Sequence, residues 1–460
     1  MGRDGKDRNM KLNQLSNKRK SKAKTFVFDS FFLDKNKGEI KFHYNLGSNY
    51  RFTETLRLTD KKINWQKVNN EALNQTLFSL HLIIGISYWK TFCPKKIIIN
   101  SGNLTKKQAE FWNGVYGIGL GEFYYKNKID FRELVKFPYK NNQSASVRLK
   151  IKNRALVPLG GGKDSIAAAE ILKENNIDFT LFSLRNSKIH KNVTRIIGKP
   201  RIMIDREMDK NFFEISKKGY QGHIPVSFIF SFTALLAAIL YDYKYIIFAN
   251  EHSSNFGNVK YLGHNINHQY SKSLEAERNF INYAHSFITP DIHPFSLLRP
   301  FSELKIVQIF SKYKKYFSSF SSCSKSLKFM NPDARRWCGE CAKCAFVFSQ
   351  LAAFLSKAEL KKIFGKNLYA DKKLLTLYLE LLGEKDIKPF DCVGTPEEVK
   401  AAMIIAQENK EFLNDYIIRH FRDNIMPRIK NQKALVKKAL NVRGSNCAPK
   451  KFQSIINQIK

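Results

Sequence analysis

Residues 156–172 read LVPLGGGKDSIAAAEIL, an apolar run joined to an apolar helix through Gly160, Gly161 and Gly162. Glycine tolerates positive φ and lets the backbone approach a ligand closely. A strand-to-helix turn built from three of them aims several N–H groups and the positive helix end at one point, an anion site suited to phosphates. Lys163 adds a point charge, Asp164 an oxygen for Mg²⁺ and Ser165 a hydroxyl donor. Walker A fails, because Asp164 stands where Ser or Thr must follow Gly-Lys. The G-x-G-x-x-G fingerprint fails too, because Ser165 occupies its third glycine position. A glycine turn serving only tight helix–strand packing is the competing reading.

A second constellation is RRWCGECAKCAFVF, which sets Cys338, Cys341 and Cys344 at successive C-x-x-C spacings, with Cys323 upstream in FSSCSKS. Four thiolates suit Zn²⁺ in a closed tetrahedral site, and an Fe–S cluster would also accept them. Buried free cysteines are the bland alternative. A catalytic thiol is a third option, for which Cys392 in PFDCVGTPEEV competes.

The third is the polar stretch from Asn250 and Glu251 through His268, Gln269, Ser271, Lys272 and Ser273. It follows an apolar run, YIIFAN, and offers acid, base and hydrogen-bond chemistry at what would be the ligand-binding edge of a sheet. Arg299, in LLRPFSEL, either forks onto a substrate carboxylate or phosphate or pairs with Glu303.

Positioning these groups takes a scaffold that the pattern supplies. TFVFDSFFL, EIKFHYNL and FTETLRL read as strands, and LFSLHLIIGISYW as an apolar helix. Thr105 caps another helix. ALVPL, FTLFSL, PRIMI and YIIFAN then alternate with candidate helices, which implies a parallel, doubly wound sheet. After Cys344 the chain reads mostly helical. The expected organisation is a basic tail over 1–24, an N-terminal α+β domain over 25–145, an α/β domain over 150–345 carrying the cysteines, and a helical region over 346–460.

The 460 residues carry 78 Lys+Arg against 40 Asp+Glu, a net charge of +38. The lysines are scattered along the chain, which points to a solvated surface rather than to nucleic acid, although a polyanionic partner competes. Residues 219–241 hold no Asp, Glu, Lys or Arg. Pro225, Ser227, Ser231 and Thr233 make this a buried helix rather than a membrane span. With no apolar leader at the start, a reducing, cytoplasmic setting is expected.

The loop itself resembles the S-G-G-x-D-S pyrophosphatase loop of enzymes that cleave ATP between the α and β phosphates, of adenine nucleotide alpha hydrolase-like fold. Gly160 stands where those enzymes usually have Ser. Taken with GHIPVS, NEHSSNFGN, NHQYSKSLEAE, RPFSELKI, RWCGECAKCAFVF and PFDCVGTPEEV, in that order, the chain resembles the UDP-N-acetyl-alpha-D-muramoyl-L-alanyl-L-glutamate epimerase family over nearly its whole length. That resemblance implies ATP- and Mg²⁺-dependent inversion of the terminal glutamate of UDP-MurNAc-L-Ala-L-Glu, releasing AMP and diphosphate, beside a ligase that adds L-Glu in peptidoglycan precursor synthesis. Gly160, Gly161, Gly162, Lys163, Asp164 and Ser165 are then the nucleotide site. Asn250, Gln269, Ser271, Lys272 and Arg299 become substrate contacts, and His268, Glu251 and Cys392 candidate proton carriers. The loop is also similar to that of tRNA-thiolating and deazaguanine-forming enzymes, and a nucleotide sensor without turnover is a third reading.

Overall fold

The computed structural model describes residues 23–60, 62–141, 145–184, 186–325, 336–441 and 444–459. The basic tail expected over 1–24 lies almost wholly outside them. Contacts divide the chain into two units. One holds residues up to Leu149 with 204–241 and 282–290, and the other holds 150–203, 242–281 and 291–460. The division therefore differs from contiguous blocks at 25–145, 150–345 and 346–460.

Among the described residues the strands are β1 (Thr25–Asp34), β2 (Glu39–Leu46), β3 (Tyr50–Leu58), β4 (Lys96–Ile99), β5 (Ala155–Pro158), β6 (Phe179–Ser183), β7 (Arg201–Glu207), β8 (Tyr245–Phe248), β9 (Val259–Tyr261), β10 (His264–Ile266) and β11 (His293–Ser296). In the first unit β1, β2 and β3 form an antiparallel meander, β4 lies parallel to β1, and residues 204–207 of β7 pair antiparallel with β3. The period of two is plain in β2, where Ile40, Phe42, Tyr44 and Leu46 are buried while Lys41 is exposed. The helix Asn70–Trp89 starts where Asn69 accepts the Ala72 N–H at 2.9 Å. It packs on β1 and β2. Gly85 permits the approach, since a Cβ there would sit 2.4 Å from the Phe28 ring.

The charge-free stretch forms the helix Val226–Tyr241, which packs along Asn70–Trp89. That contact is why 204–241 joins the N-terminal residues. No helix among the described residues is long and apolar enough to cross a membrane.

In the second unit β5, β6, residues 201–203 of β7, β8 and β11 form parallel pairs in the order β11-β8-β5-β6-β7. The order grows outward in both directions from β5. β5 and β8 are thus the neighbours at which direction reverses, the place where open α/β sheets bind ligands beyond the strands' carboxyl ends. The helix Lys163–Glu174 follows β5 and buries Ile166, Ala167, Ala168, Ala169, Ile171 and Leu172. After β11 the described chain is helical and turn-like to its end, and its apolar residues join the same core as the parallel strands.

Candidate active site

The sheet places two of the three predicted segments side by side. The glycine loop leaves β5, and Asn250 and Glu251 follow β8. In the loop, Gly161 has φ +78°, and a Cβ there would meet Ile189 Cγ2 at 2.6 Å, so only glycine fits without a shift. Gly162 is the N-cap of Lys163–Glu174 and no side chain caps that end, which leaves first-turn N–H groups available to an anion. The segment after the helix Glu303–Phe310 closes over the loop: Ser321 N–H donates to Gly161 O at 3.1 Å. The Ser322 side chain lies beside Gly162 with its buried Oγ unpartnered.

Lys163 is not the solvent-facing charge that its position suggested. It is fully buried and pairs with both Asp164 and Glu303. Burial opposes its charge, yet Asp164 and Glu303 outweigh that and raise its pKa. Glu303 stands at the first position of its helix, after the Ser302 cap. Its other oxygen lies 3.7 Å from Lys343 Nζ. Burial raises Asp164, but Lys163 and Lys343 reverse the sign and hold it ionised.

Glu251 is 2 % exposed. Burial first, then Glu303, push its carboxyl up to about 7 against the pull of Lys272. Lys272 Nζ in turn lies 3.6 Å from Cys392 Sγ. Burial raises the Cys392 thiol, while Lys272, a hydrogen bond from His268 and Lys343 lower it, for a net fall to about 6. One ammonium thus faces both a carboxyl that titrates late and a thiol that titrates early. Near neutral pH this pairs a thiolate base with a carboxylic acid donor.

The remaining predicted residues frame this pair. Gln269 is buried and donates to Val393 O at 3.0 Å, with its Oε1 unpartnered. Asn250 donates to Ser296 Oγ at 3.1 Å. Ser271 is partly buried within the short turn Tyr270–Lys272. Ser165 donates back to Gly162 O at 3.1 Å. Arg299 pairs with neither alternative raised for it. It is 0 % exposed and bonds Glu277 Oε2 at 2.7 Å, Glu251 O at 2.6 Å and Lys272 O at 2.6 Å. It holds the backbone of two site residues, which makes it a positioning residue. The four cysteines do converge, with all Sγ atoms within 4.8 Å of one another.

Sequence reasoning missed Lys343, Lys388 and Glu398. Lys343 was hidden inside the cysteine motif. Glu398 was legible as the third position of a T-P-E-E capping box, which the structure forms at Pro396–Glu408. Its Oε1 also accepts the Glu303 N–H at 2.7 Å and the Ser253 hydroxyl at 2.6 Å. Lys388 is lowered to about 8 by burial.

Residues 17–297 match the MurL N-terminal domain and residues 319–436 the MurL C-terminal domain. Three similar proteins bear the name UDP-N-acetyl-alpha-D-muramoyl-L-alanyl-L-glutamate epimerase. The one from Xanthomonas oryzae pv. oryzae is 33% identical over 433 residues, covering 94% of this chain and 96% of the relative. Those from Micromonospora sp. and Salinispora tropica are 32% and 33% identical, covering 89% and 86% of this chain and 93% and 87% of theirs.

Proposed function

The chain belongs to the MurL family and is an epimerase, and on that premise we propose that it inverts the terminal L-glutamate of UDP-MurNAc-L-Ala-L-Glu to D-glutamate, with ATP converted to AMP and diphosphate. The product enters peptidoglycan precursor synthesis. A ligase that adds L-Glu must supply the substrate, which places both in the cytoplasm with the nucleotide pool.

The chemical obstacle is the α-proton beside a carboxylate, whose removal sets negative charge next to negative charge. Inversion needs no driving force, since its two ends have similar free energies. ATP is therefore required for rate. Bound ATP would supply an adenylated α-carboxylate, neutral at the acyl carbon and able to accept the carbanion's electrons. The uncapped helix start at Gly162 and the unpartnered Ser322 hydroxyl fit its phosphates, and Asp164 is the residue that would hold Mg²⁺. Ser322 stands in for the hydroxyl that Gly160 cannot provide. The strand order and this loop support an adenine nucleotide alpha hydrolase-like reading of the parallel sheet.

Proton transfer falls to the chain's own groups. The Cys392 thiolate takes the α-proton and the Glu251 carboxyl returns one to the opposite face, with the roles exchanged in the reverse direction. His268 holds the thiol by its hydrogen bond. Lys272 keeps the thiolate charged and offers a cation to the developing enolate.

The observation that carries this reading is the pair of displaced pKa values, about 6 and about 7, on either side of one ammonium. The test supplies UDP-MurNAc-L-Ala-L-Glu, ATP and Mg²⁺ to the folded chain and to Cys392→Ala. AMP is followed beside chiral analysis of glutamate released by hydrolysis. The expected result is D-glutamate from the unaltered chain, and AMP without D-glutamate from Cys392→Ala. D-glutamate formed without AMP, or formed undiminished by Cys392→Ala, overturns it.

A further inference from the structure

We propose that Cys323, Cys338, Cys341 and Cys344 bind a single Zn²⁺ that clamps Ser321 and Ser322 onto the glycine loop. Tetrahedral Zn²⁺ with Zn–S near ~2.3 Å requires S···S edges of about 3.8 Å. The three close edges measure 3.8 Å (Cys323–Cys341), 3.7 Å (Cys338–Cys344) and 3.5 Å (Cys341–Cys344). Four sulfurs within 4.8 Å of one another fit one ion at their centre. A cubane cluster puts each cysteine on its own iron and spreads the sulfurs further apart.

The local backbone has the features of a metal knuckle. Gly339 adopts φ +73°, which turns the chain back after Cys338, and the Glu340 N–H points at Cys338 Sγ at 3.5 Å. Cys341 is the N-cap of the helix Ala342–Ala352 and Cys344 lies in its first turn. The helix end therefore stabilises thiolates. Cys323 and Cys344 are fully buried and Cys338 and Cys341 partly so, a closed site with no open coordination position, hence structural rather than catalytic.

What the ion would hold is specific. Cys323 follows directly on Ser321, which donates to Gly161 O at 3.1 Å, and on Ser322, which lies against Gly162. Nothing within the chain but the cysteines ties this turn to the helix Ala342–Ala352 as closely. Binding releases thiol protons and changes no oxidation state. The zinc claim stands apart from the proposed reaction; only the consequence for the loop rests on it.

The experiment reads metal and not activity. The full chain is purified without chelator after growth with zinc. Elemental analysis should give one zinc per chain, retained in Cys93→Ser and Cys447→Ser and lost in Cys338→Ser. Exchange of zinc for Co²⁺ in the unaltered chain should give the intense visible bands of tetrahedral thiolate ligation, a readout that survives if Cys338→Ser fails to fold. Hydrogen exchange at the Ser321 amide should quicken when the ion is removed. Iron in place of zinc, zinc well below one per chain, or octahedral cobalt bands overturn the site. Unchanged Ser321 exchange overturns the clamp.

Discussion

Replacing Lys272 by Met removes one charge and keeps most of the stem. Unit charges 3.6 Å apart interact by about 4.6 kcal/mol at an effective dielectric of ~20, which corresponds to about three pH units. Lys272 is only partly buried, so water screens the pair and three units is the upper bound. With the ammonium gone, burial pushes the Cys392 thiol up against His268 and Lys343 alone. The thiol therefore moves from about 6 toward ~9, and its thiolate fraction at pH 7 falls from roughly nine tenths to roughly one hundredth. The same ammonium holds Glu251 down, so both limbs of the rate profile move alkaline together. The assay alkylates the protein with iodoacetamide across pH and quantifies the Cys392 peptide by mass spectrometry, with inversion rates measured on the same samples. In Lys272→Met the alkylation midpoint should rise by up to three pH units, and inversion at pH 7 should drop up to about 100-fold and recover in alkali. A midpoint that stays near 6, whatever happens to the rate, refutes the assignment of Lys272 as the group that ionises the thiol.

Three further outcomes follow from the same geometry. Glu251 has its carboxyl raised from 4.5 to about 7 in the folded chain. Stability present below 4.5 is therefore lost as pH rises through 7, by roughly 3 kcal/mol in total. Glu251→Gln should abolish inversion and, by urea unfolding, gain up to that amount over the unaltered chain between pH 4 and pH 8; an equal gap at both pH values contradicts this. Arg299→Leu leaves Glu277 buried without its cation and should cost about 3–5 kcal/mol in urea unfolding; a loss under 1 kcal/mol would mean that the pair is dispensable. Gly161→Ala combines positive φ with the Ile189 contact, so AMP formation should fall, and adding Ile189→Ala should restore part of it. An ATP KM equal to that of the unaltered chain would remove the loop from nucleotide binding.

Much of the scaffold was legible because its elements announce themselves locally. β2 alternates, Thr105 forms the capping box expected of it with Gln108, and the short apolar runs became β5, β6, β7 and β8. β11 was not legible: four residues containing Pro294 carry no period, and only pairing with β8 makes them a strand. The β9–β10 hairpin was lost in a polar stretch, where Leu262 and Gly263 turn with positive φ. At the site the residue types were visible and their pairing was not. Lys163 followed a glycine loop and so resembled a phosphate ligand, whereas its partner Glu303 lies on a distant helix. Arg299 looked like a substrate fork because its neighbour Glu303 was in view and Glu277 was not.

The split between Glu251 and Cys392 follows from a count of charges. Lys163, Lys272 and Lys343 bring three ammoniums to a desolvated cluster. Asp164, Glu303, Glu251 and Cys392 bring four groups able to carry negative charge. Lys163 is bound to Asp164 and Glu303, and Lys343 faces Glu303 as well. Lys272 sits on Cys392. Those contacts match three cations to three anions and leave Glu251, the group with no ammonium in direct contact among the printed pairs, as the one that must keep its proton when the others ionise. Its elevated pKa is thus a property of the whole cluster. Any substitution that deletes one of the three lysines must raise a further acid above neutrality, and the identity of that acid is set by which contact was lost.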